Sequence, residues 1–451
     1  MDTQTVAKFV TSLDAGKLPR NVKEHAKLCI LDNLGVMLGG LEARAARAAR
    51  SYVAECGGKR ESTLFGTSKK VPAPQAALAN CVAASVLDWD DGHNLGGHPG
   101  GVIVPSALAV AEAEGASGKL LLEGVVAGYE VGIRAMENLC STSAITYPSS
   151  DGKPITTSRP YHSTGAGASY GAAAAAAKIS GLDPGQTANA LGIDAAHTPI
   201  TRPYLIPKTG HNVKEVLGWA GITGVESAYL ARHGFTGPNT IFDDKETQGT
   251  SVDTIGKSFE ILNNYFKPYP ACRVTHAVLD ALLYLMKEHS LKADDVAKVE
   301  VLIKKNELSL SSTRPVSIEQ AQYSYPWVVG AALACGKLGW REMDDSRLAD
   351  PVILKQVDKV SLKADSALDV ERWPGGVVIK TRGGKTYRQL KLMPKGDPQE
   401  PMTSADLRAK FVDLATPVIG RAKANKVAKL VDGIEGVGDV RELTALLSGK
   451  A

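Results

Sequence analysis

The sequence predicts a mainly α fold, with a large all-helical domain built from both chain ends and a smaller inserted α+β domain. Three observations predict it. Apolar residues recur at helical spacing up to about Phe266, strand-like alternation begins only after that point, and helical periodicity resumes from Thr403 to the end. The expected boundaries are 1–266 for the first part of the helical domain, 267–395 for the α+β domain and 396–451 for the C-terminal part.

The elements follow in order. Lys23–Leu38 places Ala26, Cys29, Ile30, Leu34 and Met37 on one helical face, and Gly39-Gly40 reads as a stop just past its end. Further helices are predicted at about Pro74–Leu87, Pro105–Glu114, Leu120–Met136 and Ser169–Ser180. The last contains the alanine run Ala172–Ala177, strong helix formers small enough to let a neighbouring helix come close. Asp183-Pro184 opens another helix, with Asp as N-cap and Pro at the first helical position. Val213–Arg232 is a longer helix ending at Gly234. In the α+β part, a helix is expected over His276–Lys287 and another near Trp327–Leu338. Val299, Val301 and Ile303 alternate with Lys298, Glu300 and Leu302 and read as a half-buried strand. Val377–Ile379 and Tyr387–Leu392 read as a hairpin about Gly383-Gly384.

Composition narrows the function. With 451 residues, 44 % hydrophobic and 22 % charged, the chain is an ordinary globular protein, which excludes disorder and a disulfide mini-fold. Lys and Arg total 52 against 48 Asp and Glu, an excess too small and dispersed for nucleic acid but suited to an anionic small molecule. No stretch approaches the roughly 20 apolar residues of a membrane-spanning helix. Met1–Thr5 carries no basic region ahead of an apolar run, so no secretory signal is expected. The cysteines (Cys29, Cys56, Cys81, Cys140, Cys272, Cys335) form no CxxC pair and read as reduced thiols of a cytoplasmic protein.

Four segments could carry chemistry. In Leu87–Gly101, Asp88, Asp90, Asp91, His93 and His98 crowd a glycine-rich stretch where acids and imidazoles shift one another's proton affinity. The plainer alternative is a surface loop with helix-capping aspartates, and a metal site from Asp and His is a lesser one. In Arg159–Gly165, His162 precedes the alanine-rich helix, whose N-terminus favours a bound anion; a capping or packed histidine is the alternative. In Pro207–Lys214, Lys208 and Lys214 are candidates to bind a carboxylate or move a proton, although most lysines are solvated surface charges. In Phe266–His276, two prolines fix an extended segment at the domain junction that presents Lys267, Cys272, Arg273 and His276. A hinge with structural Arg and His would look the same. Gly167-Ala168-Ser169-Tyr170-Gly171 matches G-x-S-x-G but lacks the preceding strand, and reads as a chance match at a helix start.

Taken together, the chain resembles the MmgE/PrpD family. The resemblance is carried by Leu87–Gly101, Gly128-Tyr129-Glu130-Val131, Tyr161–Leu182 with Ala190-Leu191-Gly192, Gly234–Pro238, Lys267–Asp280 and Ala321–Gly336, in family order. It implies a homodimer, no metal or organic cofactor, and chemistry next to a carboxylate of a small di- or tricarboxylic acid. By position it implies Asp88, His98, His162 and Lys214 as catalytic, with Lys208 the alternative to Lys214. Asp91, Lys208, Lys267, Cys272 and Arg273 are expected to bind substrate. Three departures stand out. Cys272 occupies the place where the decarboxylases have a histidine, Gly92 replaces a common threonine, and Trp327 replaces a common tyrosine. These departures argue against a decarboxylase. The expectation is a lyase that dehydrates a hydroxy-tricarboxylate such as 2-methylcitrate. The alternatives are an epimerase of a dicarboxylate such as iminodisuccinate, a decarboxylase of the cis-aconitate type, and a non-catalytic carboxylate-binding protein.

Overall fold

The computed structural model describes residues 2–94, 97–137, 145–148, 154–157, 165–199, 215–243, 252–369 and 373–448. The fold is mainly helical. In chain order the helices of the first part are α1 (Thr3–Ser12), α2 (Arg20–Gly40), α3 (Arg44–Cys56), α4 (Ala73–Ser85), α5 (Gly100–Glu114), α6 (Gly118–Ala135), α7 (Ala166–Ile179), α8 (Pro184–His197) and α9 (Glu215–Arg232). Small residues decide how they pack. Along α6, Gly124, Gly128 and Gly132 face Ala175, Gly171 and Gly167 of α7, with ideal Cβ positions only 2.8 Å from the Gly171 carbonyl and 3.1 Å from that of Gly167. Larger side chains would force the two helices apart.

Two helix boundaries, one end and one start, differ from expectation. Gly39 and Gly40 lie inside α2 rather than beyond it. A Cβ on Gly40 would fall 2.1 Å from the Ala83 carbonyl oxygen of α4, so these glycines serve a helix crossing, not a stop. Pro105 lies inside α5, which begins at Gly100. Asp183 does cap α8, as expected, and forms a capping box with Gln186.

Two strand residues, β1 (Gly92–His93), pair antiparallel with β2 (Asn264–Tyr265), Gly92 opposite Tyr265 and His93 opposite Asn264. This short ladder fastens the loop after α4 to the chain entering the α+β part. That part contains α10 (His276–Glu288), β3 (Val296–Ile303), α11 (Tyr325–Cys335), α12 (Pro351–Val357), β4 (Val360–Ala364), β5 (Gly375–Thr381) and β6 (Thr386–Lys391). Its sheet has the order β6-β5-β3-β4, with β4 parallel to β3 and the other neighbours antiparallel. The predicted strand and hairpin are present; β4, a partly exposed edge strand without clear alternation, was not foreseen.

The chain then returns to the helical part as α13 (Ser404–Ile419), α14 (Arg421–Asp432) and α15 (Arg441–Leu447). Leu407, Phe411 and Leu414 of α13 share one apolar core with residues of α2, α4 and α6, whereas residues between Ala271 and Ile379 form a separate core. Gly35 of α2 lies against the backbone of Phe411, so α13 sits directly on α2. None of the described helices is long and apolar enough to cross a membrane.

Candidate active site

The loop between α4 and α5 meets the junction segment after β2, and their meeting point is a buried cluster of charge. Asp88 has a backbone φ of 51°, a left-handed conformation uncommon for a residue with a Cβ. Its Oδ1 lies 2.7 Å from Lys267 Nζ, and the same ammonium donates to the Asp88 carbonyl at 3.0 Å. Both side chains are almost wholly buried. Lys267 reaches this position because Pro268 and Pro270 keep the chain from turning into helix directly after β2.

Two residues on, the fully buried Asp90 contacts His98 Nδ1 through Oδ2 at 3.1 Å. A carboxylate at Nδ1 favours the tautomer with its proton there, leaving Nε2 as a lone-pair base. His98 is part-buried, so this imidazole is less enclosed than the aspartate that orients it.

Asp91 lies deeper. Asn33 Nδ2 donates to its Oδ1 at 3.0 Å, while Tyr129 and Asn264 donate to Oδ2 at 2.9 and 2.7 Å. Burial among neutral donors pushes this carboxyl up to about 7, with Asp32 and Asp90 adding in the same direction. Asp91, expected to bind substrate, is buried and accepts three hydrogen bonds from residues of the wall. Gly100 is required here, since a Cβ would fall 1.8 Å from Asp91 Oδ1.

Gly92 also has a structural cause. A side chain at this position would meet the Tyr265 ring, whose Cζ is 2.3 Å from the ideal Cβ. Tyr265 thus fills the space that a threonine would use. The Arg273 guanidinium lies over that ring at 4.3 Å and donates to the Lys395 carbonyl at 3.1 Å, with Asp397 at 3.4 Å. Arg273 is buried and directed into the wall, where its charge acts at a distance. Cys272 is half-buried, with its backbone N–H donating to Gln322 O. Trp327 is buried in the core of the α+β part.

The structure also shows site residues that sequence reasoning missed. Lys410 of α13 reaches Asp32 of α2, and its ammonium donates to backbone carbonyls of both site segments. The signal was present: Lys410 falls on the same helical face as the core residues Leu407, Phe411 and Leu414. His276, named at the junction but given no role, is fully buried with Nε2 3.0 Å from the Ala271 carbonyl. Burial, aided by Arg273 and Lys267, holds its proton affinity well below the usual histidine range. His162, Lys208 and Lys214 lie outside the described residues.

Among the described residues, two groups have ligand atoms within 4.8 Å of one another: Asp88 with Asp90 and His98, and His93 with Glu137 and Glu260. The first already has the Lys267 ammonium on one of its carboxylates, which repels a second cation. In the second, His93 lies 3.7 Å from Glu260 and Arg134 lies 3.9 Å away. The His93 contact, with Asn263 and Arg134, holds the Glu260 carboxyl down to about 2. Both groups are therefore better suited to ion pairing than to binding a divalent metal.

Where the loop meets the junction segment, the arrangement combines a buried ammonium, an Asp-oriented imidazole and a carboxyl pushed up to about 7. Models of two domains match the chain: the MmgE/PrpD N-terminal domain over residues 4–260 and the MmgE/PrpD C-terminal domain over residues 269–435. The chain belongs to the MmgE/PrpD family. Among similar proteins of this family, human cis-aconitate decarboxylase is 26 % identical, over 99 % of this chain and 94 % of its own length. A cis-aconitate decarboxylase-like protein of Aspergillus oryzae is 24 % identical over 99 % and 97 %. Mouse cis-aconitate decarboxylase is 25 % identical over 99 % and 93 %. The family and these relatives mark the chain as an enzyme.

Proposed function

We propose that this enzyme is a lyase that removes water from a small hydroxy-tricarboxylate of the 2-methylcitrate kind by taking a proton from the carbon next to a carboxylate. The observation that carries the reading is the Asp88–Lys267 contact two residues from the Asp90–His98 pair. An ammonium beside the reacting carbon stabilises the charge that develops on an adjacent carboxylate. His98, oriented through Nδ1, has Nε2 left for the proton.

In this reading one of His98 and His162 takes the α-proton. The other, or Asp88 in its acid form, protonates the departing hydroxyl. Lys267 and Lys214 hold carboxylates, with Lys208 the alternative to Lys214, and Arg273 adds positive charge from behind Tyr265. Asp91 is read as a loop-positioning residue rather than a substrate contact, because its oxygens already accept three hydrogen bonds. No metal or organic cofactor enters this chemistry, so turnover is expected to survive a chelator. The reading also takes the enzyme to be a cytoplasmic homodimer; sedimentation of the purified protein tests the dimer.

Decarboxylation of a cis-aconitate-like acid is the second reading, favoured by the names of the similar proteins. Against it stands Cys272, where the resemblance places a histidine in decarboxylases. Proton NMR in heavy water with 2-methylcitrate, citrate, cis-aconitate and iminodisuccinate separates the readings. An alkene formed with loss of hydroxyl supports dehydration, and loss of carbon dioxide from cis-aconitate replaces it with decarboxylation. Deuterium entering the α-carbon without elimination indicates an epimerase. Binding without any exchange indicates a carboxylate-binding protein.

A further inference from the structure

We propose that Lys410, paired with Asp32, is a positioning residue: its buried ammonium holds together the two segments that carry Asp88 and Lys267. This rests on the reading of Asp88 and Lys267 as site residues. Lys410 Nζ lies 2.7 Å from Asp32 Oδ1, donates to the Trp89 carbonyl at 2.7 Å and to the Lys267 carbonyl at 3.2 Å. The ammonium thus donates hydrogen bonds to two backbone carbonyls and pairs with the Asp32 carboxylate as an ion pair. Lys267 in turn donates to the Asp88 carbonyl. Two successive carbonyls of the loop, at Asp88 and Trp89, are thus each held by a lysine, and one of those lysines is held by the other.

The arrangement coincides with backbone strain. Asp88 carries the positive φ, and such a conformation persists only where its surroundings over-determine it. The Lys267 contact to the Asp88 carbonyl and the Lys410 contact to the Trp89 carbonyl bracket that residue on its C-terminal side. The pair is a poor device for stability alone. Asp32 and Lys410 are both buried, and burial pushes the first up and the second down, each toward its neutral form. Apolar residues of similar volume would fill the same space without that penalty. What apolar residues lack is two directed donors and a charge on one atom, joining α13, α2, the loop and the junction.

The test separates positioning from folding. Lys410→Met alone would leave Asp32 buried without its counter-charge, so it is combined with Asp32→Asn, which removes both charges together. Lys410→Arg keeps charge and donors. The double variant is expected to melt within a few degrees of the parent, yet to lose roughly a hundredfold in kcat for α-proton exchange, with KM little changed, as expected for misplaced reacting groups. Lys410→Arg should recover most of that loss. A folded double variant with full kcat, or a loss that only follows the unfolded fraction, overturns the proposal. If the parent enzyme exchanges no proton with any acid of the panel, the catalytic reading fails, and amide hydrogen exchange decides this one by itself. Faster exchange confined to residues 88–93 and 264–268 in the double variant supports positioning; unchanged or uniformly faster exchange overturns it.

Discussion

Two regions of the helical part bury aspartates completely and, Asp91 with its neutral donors apart, they do so in opposite ways. In the candidate site, Asp32 and Asp88 each have a lysine ammonium within 2.7 Å, and Asp90 has an imidazole at 3.1 Å. Between α7 and α8, Asp194 is equally buried but its side-chain partner is neutral: Ser169 Oγ donates to Oδ1 at 2.5 Å. Burial pushes the Asp194 carboxyl up to about 7, opposed only by that hydroxyl. Burial alone therefore makes an aspartate a neutral hydrogen-bonding group, and a functional carboxylate needs cations brought to it from distant parts of the chain. Ser169 is the serine of the G-x-S-x-G match, and its hydroxyl proton points to an acid, as a helix-packing contact would have it.

The comparison breaks most visibly at Lys267. Lys267→Met removes the counter-charge of Asp88 and is expected to cost about 3–5 kcal/mol of stability, read from urea unfolding. A loss below about 1 kcal/mol would mean that Asp88 takes up a proton as readily as Asp194 does. His98→Ala is next: turnover should fall by roughly a hundredfold or more with the melting temperature nearly unchanged. Near-normal turnover would remove His98 from the proposed chemistry and leave Asp90 as a structural acid. Gly92→Ala drives a methyl into Tyr265 and is expected to destabilise by ~1–3 kcal/mol, measured by thermal melting. No change would mean that Tyr265 moves freely and does not form the wall described for it.

The smallest effect at neutral pH is expected from Asp194→Asn. The folded state holds the Asp194 proton up to about 7, whereas the unfolded chain releases it near the ordinary aspartate value of 3.8. Between those values the native state binds more protons, so this residue's contribution to stability is lost as pH rises through about 7. The asparagine variant should show a smaller decline in melting temperature between pH 5 and pH 8. An identical decline would place Asp194 among the charge-compensated aspartates and dissolve the contrast.

Much of this architecture was legible in residue order. The periodicity of Ala26, Cys29, Ile30, Leu34 and Met37 announced α2, and the alternation around Val299 and Val301 announced β3, because both patterns are local consequences of backbone geometry. The crowding of Asp88, Asp90, Asp91 and His98 in one glycine-rich stretch marked the candidate site for the same reason: they are neighbours in the chain. Gly39-Gly40 misled because its usual local meaning, a stop, was overridden by close approach to Ala83, and Pro105 misled because α5 begins a turn earlier, at Gly100.

By itself, then, the sequence determined most of the helical frame, three of the four strands of the sheet and the loop where acids and histidines gather, since each depends on residues a few positions apart. The tertiary structure decided which of those acids meet a cationic partner. Asp88 meets Lys267 across 179 positions of chain, and Lys410 joins Asp32 to the carbonyls of Trp89 and Lys267, the former 321 positions away. A carboxylate's protonation in a dry interior depends on the charges within a few ångströms of it, and only folding brings those distant lysines there.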